Sequence, residues 1–185
     1  MKKQFLLYRP FLQFLGIFFG LYLILTLCYQ FYLNQNDANL KTADNFTILV
    51  AKQAAFVLQC FDKNSYAEAN NTNSSITLFY KSKSVSRVIE GCNALSLMIL
   101  FISFVVAFPG KLKQTMVYIF FGILIIHVFN VLRIALLSVL FYEIPKYKNI
   151  LHNVFFPFII YSIVFVLWVV WVTKFSNYAT KNSTK

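Results

Sequence analysis

The chain has 185 residues, of which 59% are hydrophobic, 19% aromatic and only 12% charged, and its 17 Lys and Arg against 6 Asp and Glu give a net charge of +11. Soluble domains run at roughly 45–50% apolar and 25% charged residues, so this composition, with a mean hydropathy of +0.65, excludes a disordered tail, a coiled coil, a secreted disulfide scaffold and a soluble nucleic-acid module. The basic residues bracket apolar runs instead of forming one patch, which in a membrane protein sets orientation and gives no sign of a nucleic-acid partner.

The expected fold is therefore all-α and integral to the membrane, a single membrane domain over residues 1–185 with membrane lipids around it. Residues 11–33 form an uncharged run longer than the roughly 20 residues a crossing helix needs. That run is too long for the apolar region of a signal peptide, and no small-x-small cleavage pattern follows, so it reads as retained. The long segment 34–92 comes next. Asp44 is placed to cap a helix whose apolar positions Phe46, Leu49, Val50, Val57, Cys60 and Phe61 recur at helical spacing, predicting an interfacial helix on the membrane or on the bundle. Residues 64–75, rich in Asn and Ser, read as a solvated loop. Residues 76–80 and 85–89 flank a turn at 81–84, which predicts a short β-hairpin.

Three further spans complete the expected set of about four. Residues 93–109 lie at the short limit. Residues 114–142 are interrupted only by Arg133, and residues 154–173 carry Trp168 and Trp171 near one end as expected interfacial anchors. Lys2, Lys3 and Arg9 precede the first span, Lys111 and Lys113 lie in the turn after Pro109-Gly110, and Lys174, Lys181 and Lys185 follow the last span. All the acids, Asp37, Asp44, Asp62, Glu68, Glu90 and Glu143, fall in the other two connections. The positive-inside rule then predicts both termini in the cytoplasm and segments 34–92 and 143–153 on the outer face.

A few polar groups stand within or beside these spans: Cys92, His127, Asn130, Arg133 and His152. An ionisable group at membrane depth costs about 2.5–3.5 kcal/mol on insertion scales and asks for a functional account. Counting spans brings Cys92, Arg133 and His152 to the same outer surface, although they are far apart in sequence. Singly, each has an ordinary explanation: a buried or disulfide-bonded Cys (Cys60 lies on the same side), an interfacial His, an Arg that snorkels or holds a lipid phosphate. Together they are the parts of acyl transfer through a thiol. A helix beginning after Gly91 favours the thiolate nucleophile, a neutral His accepts and returns the proton, and a fixed guanidinium stabilises the oxyanion. His127 falls on a different face from Arg133 and suits an interhelical hydrogen bond. Cys28, in mid-span, suits inert packing. Two His and scattered acids make no metal signature, so no metal or other cofactor is expected, and neither a phosphate loop nor a Gly-x-Ser-x-Gly elbow is present.

The series Glu90-Gly91-Cys92, Asn130-Val131-Leu132-Arg133-Ile134 and Leu151-His152-Asn153 resembles the exosortase/archaeosortase family, and the short, Phe- and Lys-rich chain looks like its small exosortase F group from Bacteroidetes. The resemblance spans about residues 40–175 and departs at one point: many members carry Cys-Ser-Gly where this chain has Cys92-Asn93-Ala94. It implies a membrane cysteine transpeptidase of the bacterial inner membrane. Its substrates would be exported proteins that end in a short motif, a transmembrane helix and a basic tail, cut through a thioester and passed to an acceptor. It also implies Cys92 as nucleophile, His152 as base and acid, and Arg133 as oxyanion partner, with Asn130 one turn away placed to orient Arg133. Two rivals stand beside it. A non-enzymatic scaffold or assembly factor would bind a partner through the outer loop, and a lipid-handling protein would hold an anionic headgroup on Arg133.

Overall fold

The computed structural model describes residues 2–40, 43–70 and 74–176, without the side chains of 2–7 and 35–40. The expected basic residues Lys181 and Lys185, and the side chains of Lys2, Lys3 and Asp37, lie outside the described residues.

Among the described residues, three helices are long and apolar enough to cross a bilayer. The first is α1 (Lys2–Leu40), whose apolar part is Tyr8–Asn34; the others are α4 (Leu112–Glu143) and the continuous helical run α5 (Pro145–Phe175). The expected second span is shorter. Its helix, α3 (Leu95–Ala107), has 13 residues, about 20 Å at 1.5 Å per residue against a hydrocarbon core of about 30 Å. Both of its ends have local causes. Ala94 sits in the left-handed region, with φ 63°, and Phe108, which precedes Pro109, is pushed out of the helical region to φ −95°, ψ 106°.

Between α1 and α3 the chain builds a small unit of its own. Asp44 caps α2 (Asn45–Gln59) as the sequence suggests, its Oδ2 accepting from the amides of Phe46 (3.0 Å) and Thr47 (3.1 Å). The buried stripe of α2 differs from the expected one. Thr47, Val50, Ala51, Ala54, Ala55 and Leu58 face inward, whereas Leu49 is exposed and Cys60 and Phe61 lie exposed beyond the last turn. Small alanines occupy that face because the helix packs closely on α4 and on a sheet.

The sheet is a meander of β1 (Tyr66–Ala69), β2 (Ile76–Tyr80) and β3 (Lys83–Val88), antiparallel in the order β1-β2-β3. The expected hairpin is thus present, and the stretch expected to be a solvated loop contributes the extra strand β1. Tyr66 and Phe79 stack across that pair with ring centroids 4.5 Å apart, a cross-strand contact that a composition rich in Asn and Ser conceals. Lys81 and Ser82, the two turn residues of the hairpin, both have positive φ, as a type I′ turn requires. The turn is pinned to the end of α4, where Lys81 Nζ meets Glu143 at 3.0 Å and lies over the Tyr142 ring.

Two cores meet along α4. Below, Phe101, Val105, Ile126, Val164 and Trp171 pack α3, α4 and α5 together. Above, Val131, Ile134 and Ala135 of α4 pack on α2 and the inward face of the sheet, Ile76, Leu78 and Val88. Asn130 and Arg133 stand where α4 passes from one core to the other. Trp171 departs from the expected interfacial anchor. It is fully buried, stacks on Phe175 and donates its Nε1–H to the Phe108 carbonyl at 3.3 Å. Trp168 stacks on Phe104 at 4.3 Å. Cys28 departs as well, since it is exposed on α1 and fills no packed interior.

Candidate active site

A cavity of about 510 Å³ opens between β3, the turn Glu90–Cys92, α4 and the first turns of α5. Cys92, Arg133 and His152 all line it, so three elements distant in sequence deliver these side chains to one space. Each arrives by a distinct local route.

Cys92 closes a single 3-10 turn, its amide donating to the Ile89 carbonyl at 2.8 Å, and is half-buried. It does not open α3. Asn93 and Ala94 intervene, and the Asn93 side chain takes the first free amide of the helix, Oδ1 accepting from Leu95 N at 2.9 Å. The helix N-terminus is therefore capped by a neighbour, and the expected direct action of its dipole on the thiol gives way to placement by the turn.

The sequence marks Asn93 only as a departure from the Cys-Ser-Gly series and gives it no structural role. It is 1% exposed, and its Nδ2 donates to Tyr29 Oη and Thr47 Oγ1, both at 3.1 Å, so it fastens the turn to α1 and α2 at once. Its position next to Cys92 was the available signal, but its partners are distant in sequence. Ala94, the third residue of the Cys-Asn-Ala series, holds the left-handed conformation in which glycine is unstrained.

Arg133 projects from the middle of α4. Its Nε is buried without a hydrogen-bond partner, and it forms no ion pair among the described residues. A second cavity, about 250 Å³, lies on its other side, bordered by Tyr22, Ser96, Pro157 and Tyr161. Asn130, one turn earlier, does not orient Arg133 as the spacing suggests. It is fully buried, and its Nδ2 donates to the Cys92 carbonyl at 2.9 Å.

His152 lies in the π-helical turn Leu151–Phe155, a local widening common at functional sites. Its Nδ1 meets Asn153 Oδ1 at 2.9 Å. In the tautomer that this contact suits, Nδ1–H donates to the Asn153 oxygen and Nε2 is left open to accept a proton. The Phe141 ring lies 6.4 Å away, centroid to centroid.

The wall is basic as well as apolar. Arg87, Arg133 and Lys148 line the cavity, and no Asp or Glu does so among the described residues. His127 is elsewhere, its Nε2 within 2.7 Å of Gln53 Oε1 on α2, in the interhelical role its position suggested. The three cysteines are free. No group of three or more His, Cys, Asp or Glu able to hold a metal occurs among the described residues.

The walls of one cavity therefore carry a thiol, an imidazole and a guanidinium. The family model described as transmembrane exosortase (Exosortase_EpsH) matches residues 11–172. No curated protein and no solved structure matches the chain.

Proposed function

The chain belongs to the transmembrane exosortase family, whose members are membrane cysteine transpeptidases acting on sorting signals, and from that premise we propose that Cys92, His152 and Arg133 are its catalytic residues. The observation that carries the reading is the single cavity into which three separate elements bring these side chains.

In the proposed reaction His152 Nε2 takes the Cys92 proton, and the thiolate attacks the carbonyl carbon of the scissile peptide. The carbonyl electrons move onto oxygen, where the Arg133 guanidinium meets the charge. Collapse of that intermediate breaks the C–N bond, and the imidazolium returns its proton to the departing amine. This leaves the substrate as a thioester on Cys92. An amine or hydroxyl acceptor, or water in the hydrolytic variant, then attacks the thioester carbonyl with His152 taking its proton; the C–S bond breaks, and the departing Cys92 thiolate takes that proton back from the imidazolium. Asn153 supports the base by fixing its tautomer.

The substrates would be exported proteins bearing a C-terminal motif, a transmembrane helix and a basic tail. On the distribution of Lys and Arg, both termini are cytoplasmic and the cavity opens on the outer face of the inner membrane. Length and Phe- and Lys-rich composition favour the small exosortase F group of Bacteroidetes.

The test is processing of a C-terminally tagged exported protein in cells carrying the wild type, Cys92→Ala, Cys92→Ser or His152→Ala. Loss of the processed form in all three variants is expected. Normal processing by Cys92→Ser would sink the thioester mechanism. Intact processing by every variant would instead leave the scaffold reading.

A further inference from the structure

β3 is an edge strand. In the order β1-β2-β3 only one of its sides is paired among the described residues, and the unpaired side of such a strand presents a row of backbone N–H and C=O groups. Successive residues Ser84, Val85, Ser86, Arg87 and Val88 all line the cavity that holds Cys92. Side chains of a strand alternate between the two faces of its sheet. Ser86 and Val88, opposite Leu78 and Ile76 in register, point to the inner face, and Ser86 meets Ser138 of α4 at 2.6 Å; Arg87, opposite Thr77, points the other way. Over 86–88, beyond the bulge that shifts the register between Leu78 and Phe79, neighbours of both orientations border the cavity, so the cavity reaches the edge of the strand. The facing wall, from the first turns of α5, is polar: Lys148, Asn149, His152 and Asn153.

From this geometry we infer that the cavity takes its polypeptide substrate as an extended segment added to the free edge of β3, a fourth strand of the meander. The inference rests on the proposed peptide chemistry at Cys92 and names how the peptide is held. Backbone pairing along β3 supplies affinity with little dependence on sequence, and alternate side chains of the guest supply selectivity. The polar α5 wall suits a peptide and would leave a lipid chain facing unsatisfied amides and charges. The edge residues Arg87 and Val88 lie only a few positions before Cys92, so the strand directs its guest toward the thiol.

The test uses the detergent-solubilised full chain with Cys28→Ala and Cys60→Ala, which leaves Cys92 as the one thiol. The probes are capped peptides of alternating Thr and Val with one central Cys activated as its thiopyridyl disulfide. Cys92 attacks the peptide sulfur, the bond to the thiopyridyl sulfur breaks, and the released thiopyridone is read by absorbance. A single N-methyl group is then moved along the peptide backbone, deleting one N–H at a time.

Strand addition predicts a period of two. Methylation at alternate positions should slow capture about fivefold to tenfold, the worth of one backbone hydrogen bond, while the positions between change it less than about twofold. Rates that are uniform along the series, or no faster than for a free thiopyridyl disulfide of Cys alone, would overturn the inference. A methyl-insensitive rate that rises on dilution of the protein would assign the edge to a second copy of the chain, also against it. The readout needs no catalysis. A period of two without Cys92-dependent processing in cells would refute the enzymatic reading and keep the strand site, and uniform rates with intact processing would do the reverse.

Discussion

Asn130 donates to the carbonyl oxygen of Cys92 at 2.9 Å, so one buried amide on α4 fixes the turn that carries the thiol. The bond adds an anchor on α4 to the turn's own i→i+3 bonds and to those of Asn93. Asn130→Asp keeps the size and loses the donor, setting a carboxylate against a carbonyl. Loss of one satisfied buried bond costs about 1–3 kcal/mol, which thermal unfolding in detergent will register as a lower Tm. Processing should fall further than the stability loss explains, because the thiol is no longer presented at a fixed angle. Asn130→Gln, which retains the donor on a longer arm, should recover part of it. Equal processing by the Asp variant would remove Asn130 from the site.

Arg133 stands between two cavities with its Nε buried and unpartnered. An arrangement of that kind is poor for stability, since a buried polar atom left without a partner costs about 1–3 kcal/mol. It suits a site that meets negative charge only during reaction. Arg133→Met should therefore raise Tm, by the equivalent of about 1–3 kcal/mol, while abolishing processing. Arg133→Lys keeps the charge but not the planar fork, and processing should drop about 100-fold or more, as on loss of an oxyanion donor. A lipid-headgroup role predicts instead that Lys is largely tolerated. The two substitutions read together separate catalysis from anchoring.

The convergence of Cys92, Arg133 and His152 was legible because it needs only the number of spans between them, which apolar run lengths supply. The Asp44 cap and the β2–β3 hairpin were legible for a similar reason: capping and turn chemistry are local. What stayed hidden depends on partners remote in the chain. Asn93 reads as an ordinary polar residue until Tyr29 and Thr47 are brought beside it. β1 lies in a polar stretch, and only pairing with β2 makes it a strand. Trp171 has the position of an interfacial anchor, yet α3 and α4 enclose it. Spacing also put Asn130 one turn from Arg133, but its Nδ2 donates to the Cys92 carbonyl in the turn packed against α4, and its Oδ1, which could accept from a guanidinium, makes no hydrogen bond.

Ala94 holds φ 63°, ψ 10°, where an L-residue costs about 1–2 kcal/mol and glycine does not. Glycine loses about 0.5–1 kcal/mol more chain entropy on folding, so Ala94→Gly should stabilise by about 0.5–1 kcal/mol net. The variant also restores the third residue of the Cys-Ser-Gly series. Thermal unfolding of the two proteins in one detergent measures it. A fall in Tm would mean that the buried methyl contributes more packing than the backbone loses in strain.

Gly122 lies on α4 against the ring of Phe101 on α3, and a Cβ built there would overlap the ring edge at Cζ and Cε1. Small residues let membrane helices approach closely, and this contact helps set the lower core on which α4 carries Arg133. Phe101 is fully buried, so it has little room to turn aside. Gly122→Ala should cost about 1–3 kcal/mol through overpacking. Phe101→Leu alone should also destabilise, by leaving a void. The pair should be more stable than the sum of the two losses, because the Cβ then occupies space the ring has vacated. A double-mutant cycle on unfolding free energies measures this, with a coupling above about 0.5 kcal/mol expected for residues in contact. Strict additivity would show that α3 and α4 do not meet at this point, and would move α4, with Arg133 on it, relative to the turn that bears Cys92.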